Sequence, residues 1–381
     1  MQLLGGISRE KFLKEYWQKK PLLIRQAFSD YQSPVSPEEL GGLACEEEVE
    51  SRIIQEKGGE QAWQLRHGPF IESDFTSLPE THWTLLVQSV DHHVPELACL
   101  LDKFDFIPTW RIDDLMISFA QAQGSVGPHI DNYDVFLLQV QGERHWYINE
   151  NDYADDDFIK DSELRILKEF ESTQDWLLEP GDMLYLPPGV AHHGVAVDDC
   201  LTFSIGFRAP TRNELLIAYT EKNDDAIADA FYSDPDLSLQ TSPGEIKKEH
   251  IDIVQALMRL SNVDKDEFSS WFGCFITEKT NELEHENKEF GEHEFWEQYK
   301  HFGKLTRNGY IRLSYIGNNE SISLFVAGEE FVLSDSYLSL ARYLCENHSV
   351  DYNRVIQYCD ETAASELLFK LYNNNYLFFD E

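Results

Sequence analysis

Basic residues are scarce in this chain of 381 residues, where 31 Lys and Arg stand against 69 Asp and Glu for a formal charge of −38. Such a surface repels polyanions, which argues against a nucleic-acid binder, and favours cationic partners, most strongly at low ionic strength. The same acidity can also serve solubility alone. Cysteine is thin as well. Cys45, Cys99, Cys200, Cys274, Cys345 and Cys359 lie far apart with no C-x-x-C pair, against a zinc ribbon or a disulfide framework and in keeping with reduced thiols. No apolar run approaches the ~18 residues that a membrane span needs, and the first residues turn charged without the apolar stretch of a signal peptide. The expectation is a soluble, cytoplasmic protein with no membrane association. Hydrophobic residues at 42% and aromatics at 13% belong to a folded chain, and the length exceeds one ordinary core, so two or three domains are expected.

The stretch Gly127-Pro128-His129-Ile130-Asp131-Asn132-Tyr133-Asp134 carries the chemistry. In an extended strand residues i and i+2 project from one face, so His129 and Asp131 can reach one ion together. Two histidines and one carboxylate form the facial triad that holds non-haem Fe(II) with neighbouring positions open. The second histidine is sought after Pro187-Pro188-Gly189-Val190-Ala191, where His192 and His193 compete; alternation aims them to opposite faces.

Along the chain, Ser8 is predicted to cap a helix with Phe12, Leu13, Tyr16 and Trp17 on one stripe, and Ser36-Pro37-Glu38-Glu39 forms a capping box that starts a second. Residues 22–25, 51–55 and 62–66 read as strands, the last two around a Gly58-Gly59 turn, whereas 83–90 is open between helix and strand. From 111 to 208 the apolar runs are short, β-branched and aromatic, and broken by Gly and Pro, the pattern of an antiparallel barrel or jelly roll with a small-molecule site in its mouth. Gln141-Gly142-Glu143 reads as a hairpin turn, after which Arg144 and His145 point to opposite faces, and 151–161 reads as an acidic solvated loop. Apolar stripes then predict helices over 213–219, 244–260 and 264–276, whose wide apolar faces suit a dimer interface, and 278–294 reads as a linker or solvated helix. Strands over 310–316, 321–326 and 330–333, around Asn318-Asn319 and Ala327-Gly328, and helices over 335–345, 352–359 and 363–371, with a last strand over 376–379, suggest a winged-helix-like domain. From Phe331 onward only Arg342, Arg354 and Lys370 are basic, so no direct DNA binding is expected of it.

The phrases at 110–118, 127–136, 179–192 and 204–210 resemble the JmjC-type 2-oxoglutarate oxygenases of the cupin superfamily. They are more closely similar to the bacterial ribosomal oxygenases, which hydroxylate an arginine of large ribosomal subunit protein sixteen. The resemblance implies a mainly β catalytic domain, a double-stranded β-helix or cupin/JmjC jelly roll with flanking helices, over 1–210. A helical dimerisation module over 211–285 and a winged-helix-like domain over 286–381 would follow. It implies Fe(II) held by His129, Asp131 and His192, the last because the family ligand stands three residues after the Gly. It further implies 2-oxoglutarate and O2 as co-substrates, with succinate and CO2 released. Arg144 matches the family arginine that binds the co-substrate carboxylate, for which a guanidinium is suited, and Ser118 could donate to the same group. The implied substrate is a basic ribosomal protein, and the implied assembly a homodimer. Asp113, Asp114 and Asp134 are by default turn or solvent carboxylates; one of them, with Tyr133 beside the mouth, could receive a substrate guanidinium.

Overall fold

The computed structural model describes residues 3–57, 63–160, 163–220, 231–258, 265–279, 291–317, 321–358 and 361–379. The chain divides into two compact units, one of Met1–Leu97, Ile112–Ala209 and Ser233–Leu239, the other of Ala98–Arg111, Pro210–Tyr232 and Gln240–Glu381.

In the first unit, helix α1 (Arg9–Glu15) starts where Ser8 Oγ accepts the Lys11 N–H at 3.2 Å, and α2 (Pro37–Leu43) starts at the full capping box of Ser36 and Glu39. The strands are β1 (Leu22–Ile24), β2 (Ser51–Glu56), β3 (Trp63–His67), β4 (Trp83–Val87), β5 (Ile112–Ala120), β6 (His129–Ile130), β7 (Asp134–Gln141), β8 (Arg144–Asn149), β9 (Gln174–Leu178), β10 (Met183–Leu186), β11 (Ala191–Ala196) and β12 (Cys200–Phe207). They form two antiparallel sheets, one in the order β1-β10-β7-β12-β5-β4-β2-β3 and a smaller one in the order β6-β11-β8-β9. This is the jelly roll that the sequence pattern predicts. The open stretch at 83–90 resolves as β4, then Ser89 in a left-handed conformation at φ +51° and a single 3-10 turn.

Strand β12 explains how the roll is filled. Its alternation sends Leu201, Phe203, Ile205 and Phe207 to one face and Thr202, Ser204 and Gly206 to the other, yet every residue is buried. The apolar face packs in the core: Phe207 lies 5.6 Å from Phe136 and 5.5 Å from Trp17 by ring centroids, and Phe136 lies 4.9 Å from Tyr185 and 5.6 Å from Phe12. The polar face lines a cavity.

The second unit holds α3 (Arg212–Thr220), α4 (Lys248–Met258) and α5 (Lys265–Thr277), which bury Leu215, Val254, Phe268 and Phe272 around Trp110. It also holds two three-stranded antiparallel sheets, Lys304–Arg307 between Ser349–Asp351 and Leu377–Phe378, and Ser321–Val326 between Leu313–Gly317 and Glu329–Ser334, together with helices over Leu338–Glu346, Tyr352–Tyr358 and Glu361–Asn373.

Two expectations are corrected here. Residues 244–247 are not helical, because Glu245 pairs in parallel with Tyr315 and Gly244 sits against Cys345, where a Cβ would lie 2.2 Å from its side chain. The Gln141-Gly142-Glu143 turn closes no hairpin, because β7 lies in the large sheet and β8 in the small one. In the 278–294 stretch, residues 280–290 lie outside the described residues, and 292–294 open, as the solvated-helix alternative has it, a helix over Glu292–Phe302 that goes on to bury Phe295 and Tyr299, an i, i+4 pair hidden among charges. The Gly58-Gly59 and Asn318-Asn319 turns and Cys359 lie outside the described residues.

Phe136 is fully buried against the rings of Phe12, Tyr185 and Phe207. Truncation to Ala is expected to cost about 3–5 kcal/mol, read as an earlier midpoint in urea unfolding of the jelly roll; an unmoved midpoint would contradict this packing.

Candidate metal centre

Strand β6 is two residues long and pairs with β11 so that His129 stands directly opposite His192. Their rings lie 4.2 Å apart between centroids. Asp131, just past the end of β6, brings Oδ2 to 3.9 Å from His129 Nε2 and 3.6 Å from His192 Nε2. One donor atom from each of the three falls within 4.8 Å of the others.

The remaining ring nitrogens are spoken for. His129 Nδ1 lies 3.0 Å from the Gly127 carbonyl, and His192 Nδ1 lies 3.0 Å from the Val190 carbonyl. A carbonyl only accepts, so both rings carry their proton on Nδ1 and turn the Nε2 lone pair toward Asp131, the tautomer a metal requires. Burial, and then His129 beside it, push the His192 pKa down to about 4, which keeps the ring in its neutral, ligating form near pH 7. Two neutral imidazoles and a carboxylate fit a divalent first-row metal bound on one face, with the cavity side open.

The approach to the triad is fixed by Gly127, whose φ of +82° is left-handed and whose missing Cβ leaves the place where Ile166 packs, 2.9 Å from an ideal Cβ. Ile166 also bridges the backbone of His129. Residues 163–166 therefore wall the cavity, a role that the sequence, with its charged run beforehand, did not disclose. His193 faces away, against Tyr147 and Phe170. His145 also faces away and pairs with Asp175 at 2.7 Å.

The cavity has a volume of about 340 Å³ and is walled from both sheets. At one end Arg144 is 2% exposed, and its Nη1 donates to Ser118 Oγ at 3.2 Å and Thr202 Oγ1 at 3.3 Å. Its Nε is buried without a partner, and among the described residues no carboxylate lies within ion-pair distance of it. The face of Trp146 lies 5.3 Å from the guanidinium carbon. Burial lowers the Arg144 pKa. A buried cation served only by neutral oxygens costs several kcal/mol in desolvation and is matched by an incoming anion. Thr202, held in turn by Gln139 Oε1 at 3.0 Å, was missed from sequence; its signal was the Thr-x-Ser-x-Gly alternation of β12.

Strand β5 spans the cavity. Asp114, Met116 and Ser118 all line it, and four residues of strand separate the Asp114 end from the Ser118 end by about 13 Å. Burial, and then Asp113, raise the Asp114 pKa. Tyr133 lines the cavity nearby, its phenol pKa raised chiefly by the Asp131 carboxylate. Two of the three default readings of these carboxylates are corrected: Asp114 is buried in the cavity wall, and Asp134 is fully buried, accepting from Tyr185 Oη at 2.6 Å and Gln18 Nε2 at 2.9 Å. Asp113 is exposed.

Fold and triad together define a cupin-type metalloprotein with the ligand set of non-haem Fe(II) oxygenases. Comparison with known proteins narrows this. Residues 99–215 match the JmjC domain family and residues 254–378 the ROXA-like winged helix. The chain is 34% identical to the ribosomal protein uL16 3-hydroxylase of Escherichia coli (strain K12) over 97% of both proteins, and 41% identical to a probable ribosomal oxygenase of Haemophilus influenzae over 61% of this chain and 56% of that one. The solved structure of the Escherichia coli ribosomal oxygenase YcfD in complex with cobalt and 2-oxoglutarate is 34% identical, covers 99% of each chain and superposes with a TM-score of 0.75. The chain belongs to the JmjC-domain ribosomal oxygenase family.

Replacing His129, Asp131 or His192 singly by Ala is expected to abolish stoichiometric binding of Co(II) or Mn(II) in calorimetry while the far-UV dichroism stays that of the parent. Undiminished binding by His192→Ala would remove it from the ligand set.

Proposed function

We infer that this protein is a 2-oxoglutarate- and Fe(II)-dependent hydroxylase that acts on an arginine β-carbon of the large-subunit ribosomal protein uL16. The observation that carries this reading is the polarity of one cavity, with an unneutralised guanidinium at one end, a carboxylate at the other and the His-Asp-His triad lining it.

Arg144 is assigned to the distal carboxylate of 2-oxoglutarate, with Ser118 and Thr202 holding the guanidinium in place. His129, Asp131 and His192 would hold the iron, and leave adjacent positions for the 2-oxo acid and for O2. Bound iron supplies oxygen activation coupled to decarboxylation: one atom of O2 goes to succinate, the other to the substrate C–H, and CO2 leaves. The protein's part is to fix these groups in a walled cavity with Ile166, Leu137 and Trp146 limiting water.

Asp114 is the carboxylate assigned to the substrate guanidinium. Its Oδ2 takes the Gln88 amide at 2.8 Å and the Ser89 N–H at 2.9 Å, while Oδ1 lies over Gly206, 3.4 Å from where a Cβ would be. Among the described residues Oδ1 has no hydrogen-bond donor. The formal charge of −38 favours a basic partner such as a ribosomal protein and disfavours direct DNA binding. The reading extends to a homodimer through the helices of 212–277, supported by Ile217, 49% exposed, and by the partly buried Ile253, Leu257, Trp271 and Phe275, with a catalytic part over 1–210 and a winged-helix-like part over 286–381. Among the described residues no helix is long and apolar enough to cross a membrane, and a ribosomal substrate would place the enzyme in the cytoplasm.

Incubation with ribosomal proteins, Fe(II), 2-oxoglutarate and air is expected to add one oxygen to an arginine of uL16 in peptide mass spectrometry, with His129→Ala inactive. Oxygen on a histidine or asparagine instead would keep the chemistry and replace the substrate. Arg144→Met is expected to raise the KM for 2-oxoglutarate at least about a hundredfold, the scale of a lost charge-assisted pair; a KM within threefold of the parent would reject that assignment.

A further inference from the structure

The Asp114 carboxylate is held by a relay that begins at Arg52, in the cavity wall beside it. Arg52 Nη2 donates to Gln88 Oε1 at 3.0 Å, and Gln88 Nε2 donates to Asp114 Oδ2 at 2.8 Å. A guanidinium has only donors, so Arg52 fixes which way the Gln88 amide faces and leaves its NH2 for Asp114. The Ser89 N–H and Oγ reach the same Oδ2 at 2.9 and 3.3 Å. Ser89 achieves this in a left-handed backbone at φ +51°, ψ +38°, a conformation that a non-glycine residue holds at a cost and that gathers at functional sites. Three donors therefore converge on one oxygen and leave Oδ1 open over Gly206.

We propose that Arg52, Gln88 and Ser89 are positioning residues that set the side-chain specificity of this enzyme, by saturating Asp114 Oδ2 so that Oδ1 is presented, ionised and oriented, to a cationic side chain. This rests on the arginine reading above. The donors offset in part what works against ionisation here, namely burial and the neighbouring carboxylate of Asp113. Arg52 polarises and orients the Gln88 amide rather than contacting Asp114 directly, so the carboxylate is held by a neutral donor and remains available to pair with substrate. A direct Arg52–Asp114 ion pair would have filled the place of the substrate.

The test compares a uL16 peptide carrying arginine with the same peptide carrying citrulline, its neutral near-isostere. The parent enzyme is expected to favour arginine by about a hundredfold in kcat/KM, as a charge-assisted bidentate pair does over a neutral one. Gln88→Leu is expected to raise the arginine-peptide KM about tenfold and to cut the arginine preference by the same factor, with the KM for 2-oxoglutarate, fixed at Arg144, moving less than twofold. Arg52→Met, which keeps the aliphatic stem, should move in the same direction by about threefold. Ser89→Gly keeps the N–H and relaxes the left-handed backbone, so preference is retained, whereas Ser89→Val, which resists that backbone, loses it. An unchanged arginine preference in Gln88→Leu, or a parallel rise in the KM for 2-oxoglutarate, overturns the proposal. If the parent enzyme itself fails to prefer arginine, the arginine reading falls and takes this inference with it.

Discussion

The site depends on one strand register. His192 faces His129 because β6 and β11 pair at that step and no other, and a slip of one residue would turn His192 outward and His193 inward. The register is pinned from both sides. On one side the Gly189 N–H donates to the Asp131 carbonyl at 2.8 Å. On the other, β11 pairs with β8 from Ala191 opposite Asn149 to Ala196 opposite Arg144. Trp146 of β8 lies over Gly194 of β11, its ring 2.7 Å from where a Cβ would be, so no larger residue fits beneath it. The same ring lies 5.8 Å from His192 and 5.3 Å from the Arg144 guanidinium. The small sheet thus sets the His192 side of the triad and the buried Arg144 in one frame, so the spacing between them is built into the strand pairing.

The large sheet supplies the other axis. Ser118 and Thr202 are cross-strand partners on β5 and β12, and four residues along the same two strands come Asp114 and Gly206. The residues at i, i+2 and i+4 of both strands, four of the six polar, therefore run the length of the cavity floor while the alternate residues fill the core. This is how a fully buried strand such as β12 can carry two hydroxyls: Thr202 holds Arg144 and Ser204 borders the cavity.

Much of this was legible in the sequence, and for a physical reason in each case. His129 and Asp131 are two apart, so strand geometry joins them without any tertiary information; the jelly roll follows from short β-rich runs between Gly and Pro; Arg144 stands at the first position after the turn at Gly142, although that turn passes the chain from the large sheet to the small one and closes no hairpin. What stayed hidden was mostly non-local or masked by charge. The wall at 163–166 follows an acidic run and is placed only by its bridge to His129. The helix Glu292–Phe302 shows two buried rings among charged neighbours. Asp134 looks like a turn carboxylate beside the motif, yet it is buried by Gln18 and Tyr185, residues that are 116 and 51 positions away. Asp114 could not be separated from Asp113 until the phase of β5 placed one in the cavity and the other in solvent.

Arg144 is a buried guanidinium in the cavity wall whose hydrogen-bond partners among the described residues are neutral hydroxyls. A buried guanidinium is usually matched by a carboxylate of the same chain, and removing such a partner leaves a charge that destabilises the fold by several kcal/mol. Here the nearest groups are two hydroxyls and an indole face. Hydroxyl oxygens orient the cation and recover part of its lost hydration, but they do not neutralise it. Had Ser118 or Thr202 been an acid, the resident pair would be more stable and the cavity would have no affinity for a dicarboxylate. The cost is tolerated because both hydroxyls are fixed by the sheet itself, Ser118 through the Thr202 carbonyl at 3.4 Å and Thr202 through Gln139. The unneutralised charge is thus held in a fixed place, and an anion bound beside it would gain the electrostatic stabilisation that folding left unrealised.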